Sequence, residues 1–114
     1  MRALDFGCGG GQFASELHKR GFAAVGLDSS PAMIDVATHA HACTAEFVQG
    51  DEDAVQSLGT FSVITSLMTL QFIEDTDKAL GVLSDVLDDN GILSVQCFQS
   101  GVRQKFRRHR GVRL

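Results

Sequence analysis

The stretch LDFGCGGGQF at positions 4–13 constrains the fold more than any other part of the chain. Between a short apolar segment and a segment with helical spacing lie four glycines, Gly7, Gly9, Gly10 and Gly11. A backbone without Cβ can turn sharply and lets a ligand approach closely. Such a loop between a strand and a helix is typical of α/β folds that bind nucleotides. The stretch therefore predicts a strand, a ligand-binding turn and a helix, in that order.

Strands and helices alternate along the rest of the chain. Apolar runs of strand length predict strands over 2–6, 23–28, 46–51, 61–67 and 92–98. Spacing and capping residues predict helices over 12–20, 31–42 and 76–91. The segment 52–60 is polar and is expected to be a loop or a short helix. Because each connection is too long for a hairpin, the order indicates an α/β fold with a Rossmann-like, doubly wound, mostly parallel sheet flanked by helices.

Two of the predicted helices rest on particular residues. In the first, Phe13 and Leu17 are four residues apart and are expected on its buried face. In the last, Leu80, Leu83 and Leu87 repeat at helical spacing, and Asn90-Gly91 is expected to close the helix in a left-handed cap.

The length of 114 residues indicates one domain, which charge divides into a core over 1–98 and a tail over 99–114. The core contains all 14 acidic residues and four basic ones, for a net charge of −10. Six of the ten basic residues lie in the tail. Phe106 is its one aromatic residue, so the tail has no stacking series of the kind that binds nucleic acid. We expect a solvated or disordered end, or the terminus of a truncated reading frame.

Several classes of protein are disfavoured by composition. No apolar run approaches the roughly 20 residues that span a bilayer, and no signal peptide is evident, so a cytoplasmic location is expected. Cys8, Cys43 and Cys97 are widely spaced, which predicts reduced thiols and no metal site.

Three predicted strands end with, or next to, an acid: Asp5, Asp28 and Asp51. Ligands of open parallel sheets bind beyond the carboxyl ends of the strands, near the point where strand order reverses. Since those strand ends collect at one edge, the three carboxylates are predicted to line one crevice.

The glycine loop alone fits two cofactors. Counted from Gly9, with Gly11 and Ala14, it satisfies the dinucleotide pattern G-x-G-x-x-A, so a nicotinamide or flavin is one alternative. Asp5 argues against that alternative, because its carboxylate would repel an anionic pyrophosphate. It would attract the ammonium and sulfonium of S-adenosylmethionine (SAM). Asp28 can accept from a ribose diol, and Asp51 from an adenine amine. The charges favour SAM.

The same residues resemble a known family. LDFGCGGGQFASEL is similar to motif I, D-x-G-x-G-x-G, of class I SAM-dependent methyltransferases of the small-molecule type. VGLDSSPAMI and FVQGDEDAV resemble that family's second- and third-strand motifs, and the resemblance covers about residues 3–98. It implies methyl transfer to an oxygen, nitrogen or carbon nucleophile, with SAM as cofactor and a small molecule as acceptor.

The resemblance also implies roles for individual residues. Asp5 and the glycine loop would hold the methionine end, Asp28 the ribose and Asp51 the adenine. The predicted cofactor-binding residues are Asp5, Gly7, Cys8, Gly9, Gly11, Asp28, Ser29, Met33, Asp51, Glu52 and Ser66. Gln71 and Phe72 follow the fourth strand, where relatives place acceptor-facing residues, and ordinary loop packing is the alternative. Cys8 is expected to fill space, and His18, His39 and His41 to face solvent.

The sequence departs from the family pattern in two ways. Ser62 stands where relatives commonly have aspartate at the start of the fourth strand. The segments that in relatives precede the first strand, and the helix and antiparallel hairpin that follow the fifth, are not recognisable, so a truncated form lacking the hairpin is expected. The alternatives are a non-catalytic or incomplete SAM-binding domain that needs a partner chain, a second copy or further sequence to complete its sheet, an NAD-linked oxidoreductase, and a nucleic-acid methyltransferase that uses the basic tail.

Overall fold

The computed structural model describes residues 1–67, 75–96 and 103–107 of the chain. Within them lie the strands β1 (Arg2–Phe6), β2 (Ala23–Asp28), β3 (Glu46–Gln49), β4 (Phe61–Leu67), β5 (Leu87–Gln96) and β6 (Arg103–Arg107). The helices are α1 (Gln12–Lys19), α2 (Pro31–Ala40) and α3 (Thr76–Asp85), and a 3-10 helix runs over Glu52–Leu58.

The strands form one sheet in the order β3-β2-β1-β4-β5-β6. The first five are parallel, and β6 is antiparallel to β5. The chain winds outward from β1 to β3, returns, and winds outward again from β4, so strand order reverses between β1 and β4. This arrangement confirms the predicted Rossmann-like doubly wound sheet, and it brings the carboxyl ends of β1, β2 and β4 together, where ligands bind in such sheets.

Hydrophobic cores lie on both faces of the sheet. The larger contains Leu4, Ile64 and Leu93 from the strands, with Val55 from the 3-10 helix and Leu83 from α3. On the other face, Leu17 of α1 packs with strand residues of β1 and β2. Phe13 is 37% exposed, so the prediction that it shares the buried face of α1 with Leu17 is wrong. The small residues Ala14 and Ser15 are buried in its place.

The third helix is shorter than predicted. It ends at Asp85 instead of continuing to Gly91, and Leu87 begins β5. Leu87 pairs with Phe61 and Ile92 with Val63, so residues 88–91 bulge out opposite Ser62. Asn90 does have a left-handed backbone (φ 65°), but it lies in this bulge and caps no helix. Leu87 is buried as the first residue of β5. A leucine at this helical spacing would also be buried in a longer α3, so the spacing could not show that Leu87 belongs to the sheet.

The bulge also gives Ser62 a partner. The Ser62 hydroxyl donates to Oδ2 of Asp88 at 3.1 Å. The hydroxyl at this position of β4 thus binds an acid on β5.

The segment predicted to be a solvated tail contains β6, which corrects that expectation. Its residues Arg103–Arg107 pair with Ile92–Gln96 at the edge of the sheet. The sequence RQKFR has no apolar run and is therefore not recognisable as a strand, although charged residues are common in edge strands. In the part of the chain that the structure describes, every helix is too short and too polar to cross a bilayer.

Candidate cofactor site

The glycine turn after β1 is bound to the end of β2. The N–H groups of Gly7 and Cys8 both donate to the carbonyl of Leu27, at 2.7 and 2.9 Å. Gly7, Gly9 and Gly11 have φ of 82°, 54° and 89°, values at which side chains are strained. The turn therefore needs glycine at these three positions for its backbone, whatever it binds.

The turn is packed on one side and open on the other. An added Cβ on Gly11 or Gly26 would lie 2.9 Å from the ring of Phe47, and at Gly26 also 3.0 Å from Cys8 Sγ. An added Cβ on Gly9 would meet no atom within 4 Å. The open space lies at Gly9, where a ligand can approach the backbone. Phe47 was not predicted as part of the site, and only its pairing with Gly26 across β2 and β3 reveals it.

Asp28 joins the turn to the second helix. Its Oδ2 accepts from the Gly9 N–H and its Oδ1 from the Ser30 N–H, both at 2.9 Å. Ser30 in turn caps α2, since its hydroxyl accepts from the Met33 N–H at 3.3 Å. The Asp28 carboxylate, half-buried at the end of β2, thus lies directly beside the open Gly9.

Asp5 is the buried acid of the site, with 2% of its surface exposed. Its Oδ1 accepts from the Thr65 hydroxyl at 2.8 Å. The pKa of Asp5 is raised to about 6, mainly by burial and to a lesser extent by the negative charge of Asp28, while the hydrogen bond from Thr65 lowers it. Thr65 was not predicted; the signal that reveals it is the register of β1 on β4, which pairs it with Asp5.

Cys8 remains a thiol within this acidic environment. Burial, together with the negative charges of Asp5 and Asp28, raises its pKa to about 12. Its Sγ donates to the Gly9 carbonyl at 3.7 Å. A thiol that stays protonated is a poor nucleophile, which agrees with the predicted space-filling role.

The third predicted acid lies beyond its strand. β3 ends at Gln49, and the Gly50 N–H donates to the Asp28 carbonyl at 2.9 Å, so Asp51 follows at the same edge of the sheet. Asp51 is exposed and caps the 3-10 helix through the Asp53 N–H, at 3.0 Å, and the half-buried Glu52 begins that helix.

The remaining predicted residues differ in burial and in hydrogen bonding. Met33 is half-buried in the first turn of α2, and the exposed Ser29 accepts through its carbonyl from the Gln49 amide at 3.0 Å. Ser66 is fully buried, and its hydroxyl has no hydrogen-bond partner among the described residues. Gln71 and Phe72 lie outside the described residues.

Three histidines, His18, His39 and His41, were expected to face solvent. His18 and His39 are exposed and His41 is half-buried, with its ring 6.4 Å from that of Phe47. Over residues 1–67 and 75–96, no three His, Cys, Asp or Glu side chains are grouped to hold a metal ion.

The chemistry of the site matches a cationic nucleoside. The charged groups that raise the pKa values of Asp5 and Cys8 are carboxylates, so the site is electronegative. The glycine turn leaves room beside them at Gly9. A Rossmann-like sheet with carboxylates at the ends of its first two strands and a glycine turn after the first is typical of a nucleoside-cofactor-binding domain.

Comparison with known proteins gives the family. A methyltransferase-domain model matches residues 1–113. The chain is 31% identical to the ubiquinone biosynthesis O-methyltransferase of Azorhizobium caulinodans over 108 residues, which cover 90% of this chain and 42% of that protein. It is 36% identical to the trans-aconitate 2-methyltransferase of Deinococcus radiodurans, with coverage of 83% and 37%.

Solved structures agree. A TehB-like SAM-dependent methyltransferase from Corynebacterium glutamicum superposes with a TM-score of 0.74 at 32% identity, over 82% of this chain and 53% of that one. A SAM-bound amino pentose methyltransferase from Micromonospora echinaspora superposes with a TM-score of 0.75 at 27% identity, over 85% and 42%.

The chain belongs to the SAM-dependent methyltransferase family. This confirms the predicted family and the predicted cofactor, S-adenosylmethionine. The comparisons support the methyltransferase prediction, and they support neither a non-catalytic SAM-binding domain nor an NAD-linked oxidoreductase. The chain spans about 40% of the length of the curated relatives it matches.

Proposed function

We propose that this chain binds SAM and transfers its methyl group to an oxygen, nitrogen or carbon nucleophile of a small molecule. The observation that carries the proposal is the Asp28 carboxylate at the open backbone of Gly9, with the buried Asp5 close enough for the charge of Asp28 to raise its pKa. A small acceptor is supported by the names of relatives, which include a ubiquinone biosynthesis O-methyltransferase and a trans-aconitate 2-methyltransferase.

Different residues bind different parts of the cofactor. Asp5 and the turn of Gly7, Cys8, Gly9 and Gly11 hold the methionine end, because the buried carboxylate attracts its ammonium. Asp28 accepts from the ribose hydroxyls. Each of its oxygens accepts one backbone N–H at 2.9 Å and has a further lone pair for a hydroxyl.

The adenine end belongs to the residues after β2 and β3. Asp51 accepts from the adenine amine, with Glu52 beside it, and Met33 and Ser29 line the adenine from the start of α2. Ser66 completes the predicted set from β4, and Gln71 and Phe72 remain the candidates for contact with the acceptor.

Positioning accounts for most of the catalysis in this proposal. Bound SAM supplies a methyl group activated by its sulfonium. The chain contributes a preorganised backbone turn and two carboxylates that orient the cofactor, and an in-line transfer gains chiefly from that orientation. A second copy or partner chain that completes the sheet stays a prediction.

The test is binding of SAM and S-adenosylhomocysteine to the folded chain by calorimetry. We expect Asp28→Ala to weaken binding at least about tenfold, because it removes charged hydrogen-bond acceptors. Asp35→Ala is the matched control, since that carboxylate is exposed on α2 and pairs with His39 at 3.5 Å. Asp28→Asn keeps one acceptor oxygen for the backbone, and circular dichroism verifies that each variant folds.

Three results would overturn the proposal. One is that the folded wild-type chain binds neither SAM nor S-adenosylhomocysteine. Another is that Asp28→Ala and Asp28→Asn bind SAM as tightly as the wild type does. NAD binding that is tighter than SAM binding would favour the oxidoreductase instead.

A further inference from the structure

We propose that Thr65 is a positioning residue for the cofactor, acting through the carboxylate of Asp5. The inference rests on the proposed function, because it assumes that Asp5 faces the cationic end of SAM. Thr65 is not part of the glycine motif, and it lies 60 positions from Asp5 in the chain.

The geometry of the pair supports this role. Asp5 and Thr65 lie opposite each other on the adjacent parallel strands β1 and β4, at the point where strand order reverses. Both are at least 95% buried, and the Thr65 hydroxyl donates to Asp5 Oδ1 at 2.8 Å. A hydrogen bond between two buried side chains on paired strands fixes the rotamer of the carboxylate. It uses Oδ1 and leaves the lone pairs of Oδ2 for another donor.

The hydrogen bond also favours the charged form of Asp5. A hydroxyl that donates to a carboxylate stabilises the anion, and here it opposes burial and the charge of Asp28. The other titratable groups that face Asp5 are Asp28 at the end of β2 and the Cys8 thiol in the glycine turn. Neither donates a hydrogen bond to Asp5 in the described residues, so Thr65 is the group there that offsets the cost of the buried charge.

A link between pH and binding follows. A cationic ligand requires Asp5 to be ionised, so binding strengthens as pH rises through the pKa of Asp5, which is about 6. Without the Thr65 hydroxyl that pKa rises further, and binding then requires a higher pH. A merely structural role for Thr65 would weaken binding equally at every pH.

The test compares Thr65→Val, which keeps the shape and removes the hydroxyl, with Thr65→Ser, which keeps the hydroxyl. Loss of a charged hydrogen bond corresponds to about one pKa unit, or about tenfold. We expect SAM binding to Thr65→Val to fall about fivefold at pH 6, where half of the wild-type Asp5 is ionised, to fall by less than about twofold at pH 8.5, and to be restored by Thr65→Ser. Thr44→Val is the matched control, because its hydroxyl donates to the His41 carbonyl at 2.9 Å, away from Asp5.

A second measurement needs no cofactor. The carboxyl carbon of Asp5 is titrated by NMR in the ligand-free chain, and we expect its midpoint to rise by about one unit in Thr65→Val and to stay unchanged in Thr65→Ser. An unchanged midpoint in Thr65→Val, or a loss of affinity that is the same at pH 6 and pH 8.5, would overturn the role of Thr65. If the wild type binds no SAM, the proposed function fails, and the NMR titration still decides whether Thr65 controls Asp5.

Discussion

Asp5 shows how one residue can oppose stability and serve binding. It carries a carboxylate that is 98% buried, and burial raises its pKa to about 6 from the ordinary 3.8. The folded chain therefore holds a proton there more tightly than the unfolded chain does. Between pH 4 and 6 stability falls as pH rises, because the unfolded chain releases the Asp5 proton that the folded chain retains, and above about pH 6 the folded chain must bury the charge. A cationic ligand recovers that cost when it binds.

Asp5→Asn should accordingly stabilise the chain while it weakens SAM binding. The amide keeps an acceptor for Thr65 and carries no charge. We expect the free energy of unfolding to exceed that of the wild type by about 1 kcal/mol at pH 4.5 and about 3 kcal/mol at pH 7.5. Urea denaturation at the two pH values measures this difference. Asp35→Asn, at an exposed site, should change it by less than about 0.5 kcal/mol, and an Asp5→Asn effect independent of pH would contradict the interpretation.

At the scale of elements, the site depends on close packing between β2, β3 and the glycine turn. Gly26 lies under Cys8 and pairs with Phe47, whose ring also contacts the Gly11 position. The sequence predicted the turn from its glycines, because a positive φ is a local requirement of the backbone. It did not predict Phe47, because strand pairing brings together residues about 20 positions apart in the chain. Phe47 and Gly26 pack against the glycine turn at Gly11 and Cys8.

Gly26→Ala tests this packing. Its Cβ would lie 2.9 Å from the Phe47 ring and 3.0 Å from Cys8, so we expect a loss of about 1–3 kcal/mol in unfolding free energy and weaker SAM binding. Gly81→Ala is the matched control. An added Cβ there meets nothing within 4 Å, and alanine in a helix interior gains up to about 1 kcal/mol over glycine. Stabilisation by both substitutions would show that Phe47 does not pack as described.

Some boundaries of strands and helices follow from local sequence, and others are set by strand pairing. β1, β2 and β4 begin and end where apolar runs predict them. α3 ends six residues earlier than its pattern predicts, because the Phe61 N–H donates to the Val86 carbonyl at 2.9 Å and begins the pairing of β4 with β5. The leucines can be buried whether α3 continues or β5 begins at Leu87, so only the pairing of β4 with β5 decides where the helix ends.

At the scale of the whole molecule, β6 changes the role of the basic C-terminal segment. Five residues, Arg103–Arg107, extend the sheet beyond β5. The segment therefore covers an edge whose N–H and C=O groups would otherwise be unpaired.

Removal of β6 should destabilise the sheet. A chain ending at residue 98 is expected to melt about 5–10 °C lower than the full chain, whereas a chain ending at 108 keeps β6 and should melt near the full-length value. Calorimetric melting in low and high salt distinguishes the loss of strand pairing from the loss of charge. A difference in melting temperature caused by lost pairing remains at high salt, where charge effects are screened. Equal melting of all three chains would show that β6 adds nothing to stability.

The amino-acid sequence was enough to predict the succession of strands and helices, the glycine turn, and the acids at the ends of β1 and β2. Each of these depends on φ, on periodicity or on capping within a few residues. The tertiary structure alone decided the contacts of Asp5 with Thr65, of Phe47 with the turn, and of β6 with β5. These contacts depend on register between strands, and register follows from how the two faces of the sheet are buried, which no local pattern reports.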